Sequence, residues 1–285
     1  MNRPPPFDLN DPQLQASLAR KSAATAALLG RIAREFPPAA FATSLGAEDM
    51  VLTDLVARHA PEIEIFTLDT GRLHGETYSL LQKVTDHYDL RIRVVYPRTE
   101  SVEQYVNEHG VNAFFDSVEL RKACCEVRKV EPLRRALAGK RAWITGLRRA
   151  QAVTRRDLPQ QEFDTANGLE KFNPLSDWEE QEVWTYLHTF GVPYNALHDR
   201  GFPSIGCEPC TRAIAKGEDI RAGRWWWENP ATKECGLHRK PACGGVSAEA
   251  NVSAASVKSR SDGRSQALDA KECGLHPAKR SGVAA

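Results

Sequence analysis

From residue 39 to residue 147 the chain alternates short apolar runs with longer amphipathic ones, and that alternation leaves few folds open. AAFATSL (39–45) reads as a strand and GAEDMVLTDLVARHA (46–60) as a helix. EIEIFTL (62–68) and GETYSLLQKVTDHY (75–88) repeat the pair, and RIRVVYP (91–97) and RAWITGL (141–147) supply a third and a fourth strand. Strands separated by helices of this length join through right-handed crossovers, which predicts an α/β fold with a doubly wound, mostly parallel sheet. Ligands on such sheets bind beyond the carboxyl ends of the strands, so the loops that follow strands are where chemistry is expected. Ahead of this region, residues 13–35 carry apolar residues at helical spacing until Pro37-Pro38, which predicts one amphipathic helix.

Two strand-following loops carry a signal. Ser44-Leu45-Gly46-Ala47-Glu48-Asp49 is a small turn that enters a helix N-terminus, where unpaired N–H groups and the helix dipole suit a phosphate. A Ser44 N-cap followed by first-turn acids accounts for the same residues without any ligand. Leu68-Asp69-Thr70-Gly71-Arg72 follows the second strand, and a Gly71 turn and a ligand contact explain it equally well.

Composition narrows the partners. Thirty-eight basic residues face thirty-seven acidic ones, a formal charge of +1, so no global field points to nucleic acid or to a membrane. Any anion site must be local. The opening MNRPPPFDLNDP has no apolar signal core, and no stretch approaches the ~18 apolar residues of a spanning helix, so a soluble cytoplasmic protein is expected. At 285 residues the chain has room for one large domain with appendages. Its seven cysteines, in pairs and singles, read as metal ligands or reactive thiols, not as a secreted disulfide framework.

Four of those cysteines form two pairs, Cys124-Cys125 in RKACCEVRK and Cys207-Cys210 in IGCEPC. Two thiolate pairs can hold a metal centre, and a 4Fe-4S cluster takes one thiolate per iron. A four-cysteine zinc site competes; spacing alone does not separate the two, although zinc pairs are normally two to four residues apart and a vicinal pair is unusual. Arg121, Lys122, Arg128 and Lys129 flank the vicinal pair, where cations would favour both an anionic cluster and an anionic substrate. A solvated basic helix face is the plainer reading of the same run. Arg148, Arg149, Arg155 and Arg156 follow the fourth strand, and guanidinium forks suit phosphate and sulfate. Trp225-Trp226-Trp227 could stack on a base, but three consecutive tryptophans point in different directions, so at least one is expected to pack against the domain.

RKACCEVRKVEPLRRAL, GCEPCTRAI and RAGRWWWENPATKECGLH together resemble the assimilatory adenylyl-sulfate reductases, the iron-sulfur branch of the sulfonucleotide reductase family. The resemblance covers roughly residues 40–238 and implies an adenine nucleotide alpha hydrolase-like (PP-loop) fold with a flexible C-terminal arm. It implies one 4Fe-4S cluster on Cys124, Cys125, Cys207 and Cys210, non-redox in role. The Ser44–Asp49 turn resembles a modified pyrophosphatase loop. ATP-cleaving relatives have Ser-Gly-Gly-x-Asp-Ser there; Leu45 and Glu48-Asp49 depart from it, adding negative charge that should disfavour a triphosphate. Ser44, Gly46, Asp49, Leu68 and Thr70 are then expected around the nucleotide, and Lys129 between cluster and substrate. Arg149, Arg156, Arg221 and Arg224 are expected on the phosphosulfate.

In the same resemblance Cys235 attacks the sulfur of adenylyl sulfate, AMP leaves, and an S-sulfocysteine forms. Reduced thioredoxin or a glutaredoxin-like dithiol then releases sulfite by thiol exchange, a step of sulfate assimilation that feeds cysteine biosynthesis. Reduction of the 3'-phosphorylated nucleotide is the near rival, but its enzymes lack the four cluster cysteines. An ATP-dependent RNA thiolation enzyme and a zinc-binding module are more distant alternatives. KECGLH occurs twice, at 233–238 and 271–276, so Cys273 is a second candidate nucleophile. The intervening Ala, Ser, Gly and charge-rich stretch reads as disordered linker, long enough to span roughly 30 Å. Cys235 is favoured for its short tether. The domain plan is a helical segment (1–38), the α/β domain (39–224), the catalytic arm (225–238) and an extension (239–285). The sequence leaves a homo-oligomer open.

Overall fold

The computed structural model describes residues 8–151, 155–229 and 237. Asp11 caps the first helix, α1 (Pro12–Glu35), its carboxylate accepting the Gln13 N–H at 2.8 Å with Pro12 in the first turn. The predicted alternation follows: β1 (Ala39–Thr43), α2 (Ala47–His59), β2 (Glu64–Leu68), α3 (Gly75–Tyr88), β3 (Arg93–Val95) and α4 (Thr99–His109). A helical run from Val118 to Leu137 comes next, made of α5 (Val118–Cys125), a π turn (Glu126–Val130) and α6 (Glu131–Leu137). After it come β4 (Ala142–Ile144), β5 (Gln161–Asp164), β6 (Leu169–Phe172) and α7 (Glu180–Thr189).

The six strands lie in the order β3-β2-β1-β4-β6-β5, all parallel except the β5–β6 hairpin. Phe41 at the centre of β1 stands opposite Ile65 on one side and Ile144 on the other, so β1 and its neighbours are buried as a parallel sheet requires. The hairpin is absent from the sequence reading. Its edge strand QEFD is short and mostly polar, and its turn is held by Asp164, which accepts the Ala166 and Asn167 N–H groups at 3.0 and 3.2 Å. Local hydrogen bonding and pairing with β6, rather than an apolar run, define it.

Helices cover both faces. Leu28, Leu29 and Ile32 of α1 pack with Val51, Leu52 and Leu55 of α2 and Val183 and Leu187 of α7 on one side. Leu133, Ala136 and Leu137 of α6 pack on Ala40, Phe66 and Trp143 on the other. Each fully buried side chain of this kind contributes ~1.5–3 kcal/mol. The N-terminal helical segment thus contributes a helix to the main core. No helix among the described residues is long and apolar enough to cross a membrane.

The strand order turns on β1: the chain runs outward through β2 and β3, then returns to place β4 on β1's other side. The loops after β1 and β4 therefore leave in opposite directions, and a crevice opens between them.

Candidate functional site

A cleft of about 250 Å³ occupies that crevice, lined by the loops after β1, β2 and β4, by Ser204–Gly206 and by Ile220–Trp225. In the loop after β1, Leu45 adopts a left-handed φ of 59° while its side chain is buried in the core. Ser44 donates its backbone N–H and its Oγ to Asp49 Oδ2, at 2.6 and 2.7 Å. Burial pushes Asp49 up to about 6, against the pull of those hydrogen bonds. Glu48 meets Arg148 at 2.9 Å (Nε) and 2.8 Å (Nη2). Burial opposes its ionisation, but the Arg148 guanidinium and hydrogen bonds hold it below the usual carboxylate range. The negative charge expected of Glu48 is thus compensated by Arg148, from the loop after β4.

A second cavity, about 20 Å³, adjoins the first, and all four paired cysteines line it. Cys124 and Cys125 end α5, just before the π turn, a widened turn common at functional sites. Cys207 precedes and Cys210 ends a 3-10 turn (Glu208–Cys210) tied to the loop after β2, where Glu208 N–H donates to the Arg72 carbonyl at 2.8 Å. Cys207 Sγ lies 3.2 Å from Thr70 Oγ1. Burial opposes ionisation of Cys207, yet the Lys129 charge, the Thr70 hydrogen bond and Arg224 together bring it below an ordinary thiol. Burial, then the neighbouring Cys207, pushes Cys210 up to about 12. Among the described residues no three or more His, Cys, Asp or Glu side chains are grouped to hold one metal ion.

Lys129, Arg224 and Trp225 line both cavities and form their common wall. Trp225 is buried with a left-handed φ of 41°, and the guanidinium carbons of Arg121 and Arg224 lie 4.7 and 4.6 Å from its ring centre. Its Nε1 is shielded from solvent and has no hydrogen-bond partner among the described residues. Arg121, wholly buried, makes a two-pronged ion pair with Glu228, 2.8 Å at each prong. Arg224 passes so close to Gly206 that a Cβ there would lie 2.4 Å from its Nη2. Trp226 is exposed and Trp227 packs on Phe115, centroids 4.5 Å apart, so the three tryptophans do diverge.

Ser44, Gly46, Asp49, Leu68, Thr70, Lys129, Arg221 and Arg224 all line the cleft. Arg149 and Arg156 do not: both are exposed, and Arg149 Nε donates to the Leu158 carbonyl at 2.9 Å. Arg155 lines the cleft in their place, while Arg148 is the buried partner of Glu48. Arg128 lines the cysteine cavity and donates to the Thr70 carbonyl at 2.7 Å. The sequence reading missed Thr145, Gly146 and Gln151, which also line the cleft; the fourth strand's carboxyl end was the signal that pointed there. Cys235, Cys243 and Cys273 lie outside the described residues. Leu237, two residues beyond Cys235, is described and lines the cleft, packed beside the cluster of Phe66 and Trp143.

The family model described as "Phosphoadenosine phosphosulfate reductase domain" matches residues 38–213. The adenosine 5'-phosphosulfate reductase of Allochromatium vinosum is 58% identical over 224 residues, 79% of this chain and 88% of that protein. The enzyme of that name from Burkholderia cepacia is 55% identical over 225 residues, 79% of this chain and 90% of its own. Among solved structures, Candida auris phosphoadenylyl-sulfate reductase in a phosphate complex aligns with a TM-score of 0.58 at 28% identity, covering 70% of this chain and 97% of that one. Candida glabrata FMN adenylyltransferase in complex with ATP, at 15% identity and a TM-score of 0.51, covers 80% of this chain and 77% of its own and shares the fold alone. With a family match across residues 38–213 and relatives more than half identical over 79% of its length, the chain belongs to the phosphoadenosine phosphosulfate reductase domain family.

Proposed function

We propose that this chain is a reductase of adenosine 5'-phosphosulfate that yields sulfite and AMP in sulfate assimilation, with reduced thioredoxin or a glutaredoxin-like dithiol as electron donor. The observation that carries the reading is the shared wall: Lys129 and Arg224 border the nucleotide-sized cleft and the four-cysteine cavity at once. The nucleoside lies against the loops of Ser44, Gly46, Leu68 and Thr70. Lys129, Arg155, Arg221 and Arg224 face the phosphosulfate, which needs cations in a chain of almost no net charge.

The thiolate of Cys235 attacks the sulfur, the bond from sulfur to the phosphate oxygen breaks, and AMP departs with that electron pair, leaving S-sulfocysteine. A thiolate of the donor then attacks the Cys235 sulfur and expels sulfite, leaving a mixed disulfide; the donor's second thiolate attacks its own sulfur in that bond, Cys235 leaves as thiolate, and the dithiol ends as a disulfide, two electrons poorer. Leu237 in the cleft supports Cys235 as the nucleophile, because two residues span at most about 7 Å of chain.

Cys124, Cys125, Cys207 and Cys210 would hold a 4Fe-4S cluster. Four thiols around one cavity, with Trp225 Nε1 in its wall as an unpaired donor, fit a group that takes one thiolate per iron. Zinc fits less well, since the paired ligands of a zinc site are normally two to four residues apart and Cys124 and Cys125 are adjacent. When bound, the cluster supplies fixed charge and rigidity beside the cleft.

Initial rates with the two sulfonucleotides and reduced thioredoxin test the reading. Faster turnover of adenosine 5'-phosphosulfate is expected, and preference for the 3'-phosphorylated form would reverse the substrate assignment. Cys235→Ser should abolish sulfite release while Cys273→Ser leaves most of it; the reverse ranking would make the distal copy the working one.

A further inference from the structure

The turn that enters α2 is the kind of helix entrance that suits a phosphate, and both donors of Ser44 at its start are already in use. Asp49 Oδ2 accepts both the backbone N–H and the hydroxyl of Ser44, at 2.6 and 2.7 Å. The Gly146 backbone adds a hydrogen bond from the loop after β4, and a Cβ on Gly146 would come within 2.1 Å of Asp49 Oδ1. The carboxylate is therefore clamped between the two loops that open the crevice. One residue earlier, Glu48 engages Arg148, so that guanidinium is paired as well.

A phosphoryl group entering the turn would have to displace a buried, covalently tethered anion from the same two donors. Tethering gives the carboxylate a high effective concentration there, and two anions cannot share the pair without strong repulsion. We propose that Asp49 is a specificity-determining residue: its carboxylate occupies the place a phosphoryl group would take at this turn, so nucleotides that need a pyrophosphate seat are refused. The nucleotide admitted is one whose single phosphate lies towards Lys129, Arg221 and Arg224. That half rests on the function proposed above; the occupied seat does not.

Occupancy differs in kind from exclusion by net negative charge. A repulsive field at an open cleft would weaken as salt rises, whereas a filled seat stays filled. Because Asp49 is held near pH 6 by burial, it remains mostly an anion at pH 7.5.

The test is calorimetric titration of the full-length protein at pH 7.5 with AMP, ATP and inorganic pyrophosphate, at low and high salt, with circular dichroism to establish folding. Wild type should bind AMP and discriminate against ATP and pyrophosphate at both salt concentrations. Asp49→Ser empties the seat, and should raise the affinity for ATP and pyrophosphate relative to that for AMP by about tenfold or more, the worth of a charge-assisted hydrogen bond. Asp49→Asn keeps an acceptor for Ser44, guards against loss of the fold, and should show a smaller gain in the same direction. Folded variants with no gain overturn the proposal, as does wild-type affinity for ATP that equals that for AMP. Discrimination that vanishes at high salt returns the effect to charge. A wild type that ignores AMP while the variants gain pyrophosphate would refute the nucleotide reading and leave the seat standing.

Discussion

Leu45 carries two opposed terms in one residue. Its φ of 59° costs ~1–2 kcal/mol for a side chain larger than glycine, while its burial at 1% exposure returns more. Leu45→Gly should relieve the backbone but open a cavity, for a net loss of about 1–3 kcal/mol by thermal unfolding. Gly206 is the converse case, a small residue that makes room for a large one. Gly206→Ala would drive a methyl into Arg224, and a rise in KM of about tenfold with a smaller change in kcat is expected in steady-state assays. Asp49 adds a pH signature. Its folded value lies near 6 against 3.8 for an unperturbed aspartate, so the cost of burying its charge is complete above pH 6 and fades as the pH falls below it. Asp49→Asn should therefore gain stability relative to wild type as the pH rises from 5 to 8, read from melting curves at both ends. Residue identity made much of the cleft's lining legible, since Lys129, Arg221 and Arg224 stand beside cysteine and glycine motifs. It failed for the arginines after β4. Four guanidiniums in nine residues look alike in sequence, and only the packing of Glu48 against Arg148 and the turn at Arg149 leave Arg155 facing the cleft.

At the scale of elements, the site depends on three segments meeting: the α5–π–α6 run, the Cys207–Cys210 turn and the Arg221–Glu228 stretch. Glu228 binds the first to the third through wholly buried Arg121, whose guanidinium also lies over Trp225. Removing one partner strands a buried charge, so Glu228→Gln should cost ~3–5 kcal/mol and lower the occupancy of the proposed cluster, measured by unfolding and metal analysis. Arg121→Lys should not rescue it, because an ammonium cannot reproduce the two-pronged contact. The alternation of periods foretold β1 to β4 and α1 to α3, where burial on both strand faces leaves near-continuous apolar runs. The β5–β6 hairpin and the π turn left no such trace. The first is an edge set by a local turn, and the second is a widening of a helix whose sequence still reads as one helix.

For the molecule as a whole, the reversal of strand order between β1 and β4 sets where the cleft opens, and the loops around it supply its side chains. Deletion of residues 239–285, which removes the second KECGLH, should leave thioredoxin-dependent turnover near wild type. The central claim is that a phosphosulfate held by Lys129 and the cleft arginines passes its sulfonate to Cys235. Its most direct test is to mix the protein, stripped of any thiol donor, with radiosulfur-labelled adenosine 5'-phosphosulfate and map the label by peptide mass. The account predicts about one labelled sulfonate per chain, on the peptide containing Cys235, released as sulfite when reduced thioredoxin is added. Label confined to Cys273, or free sulfite formed with no protein-bound sulfonate and no thiol present, would contradict it.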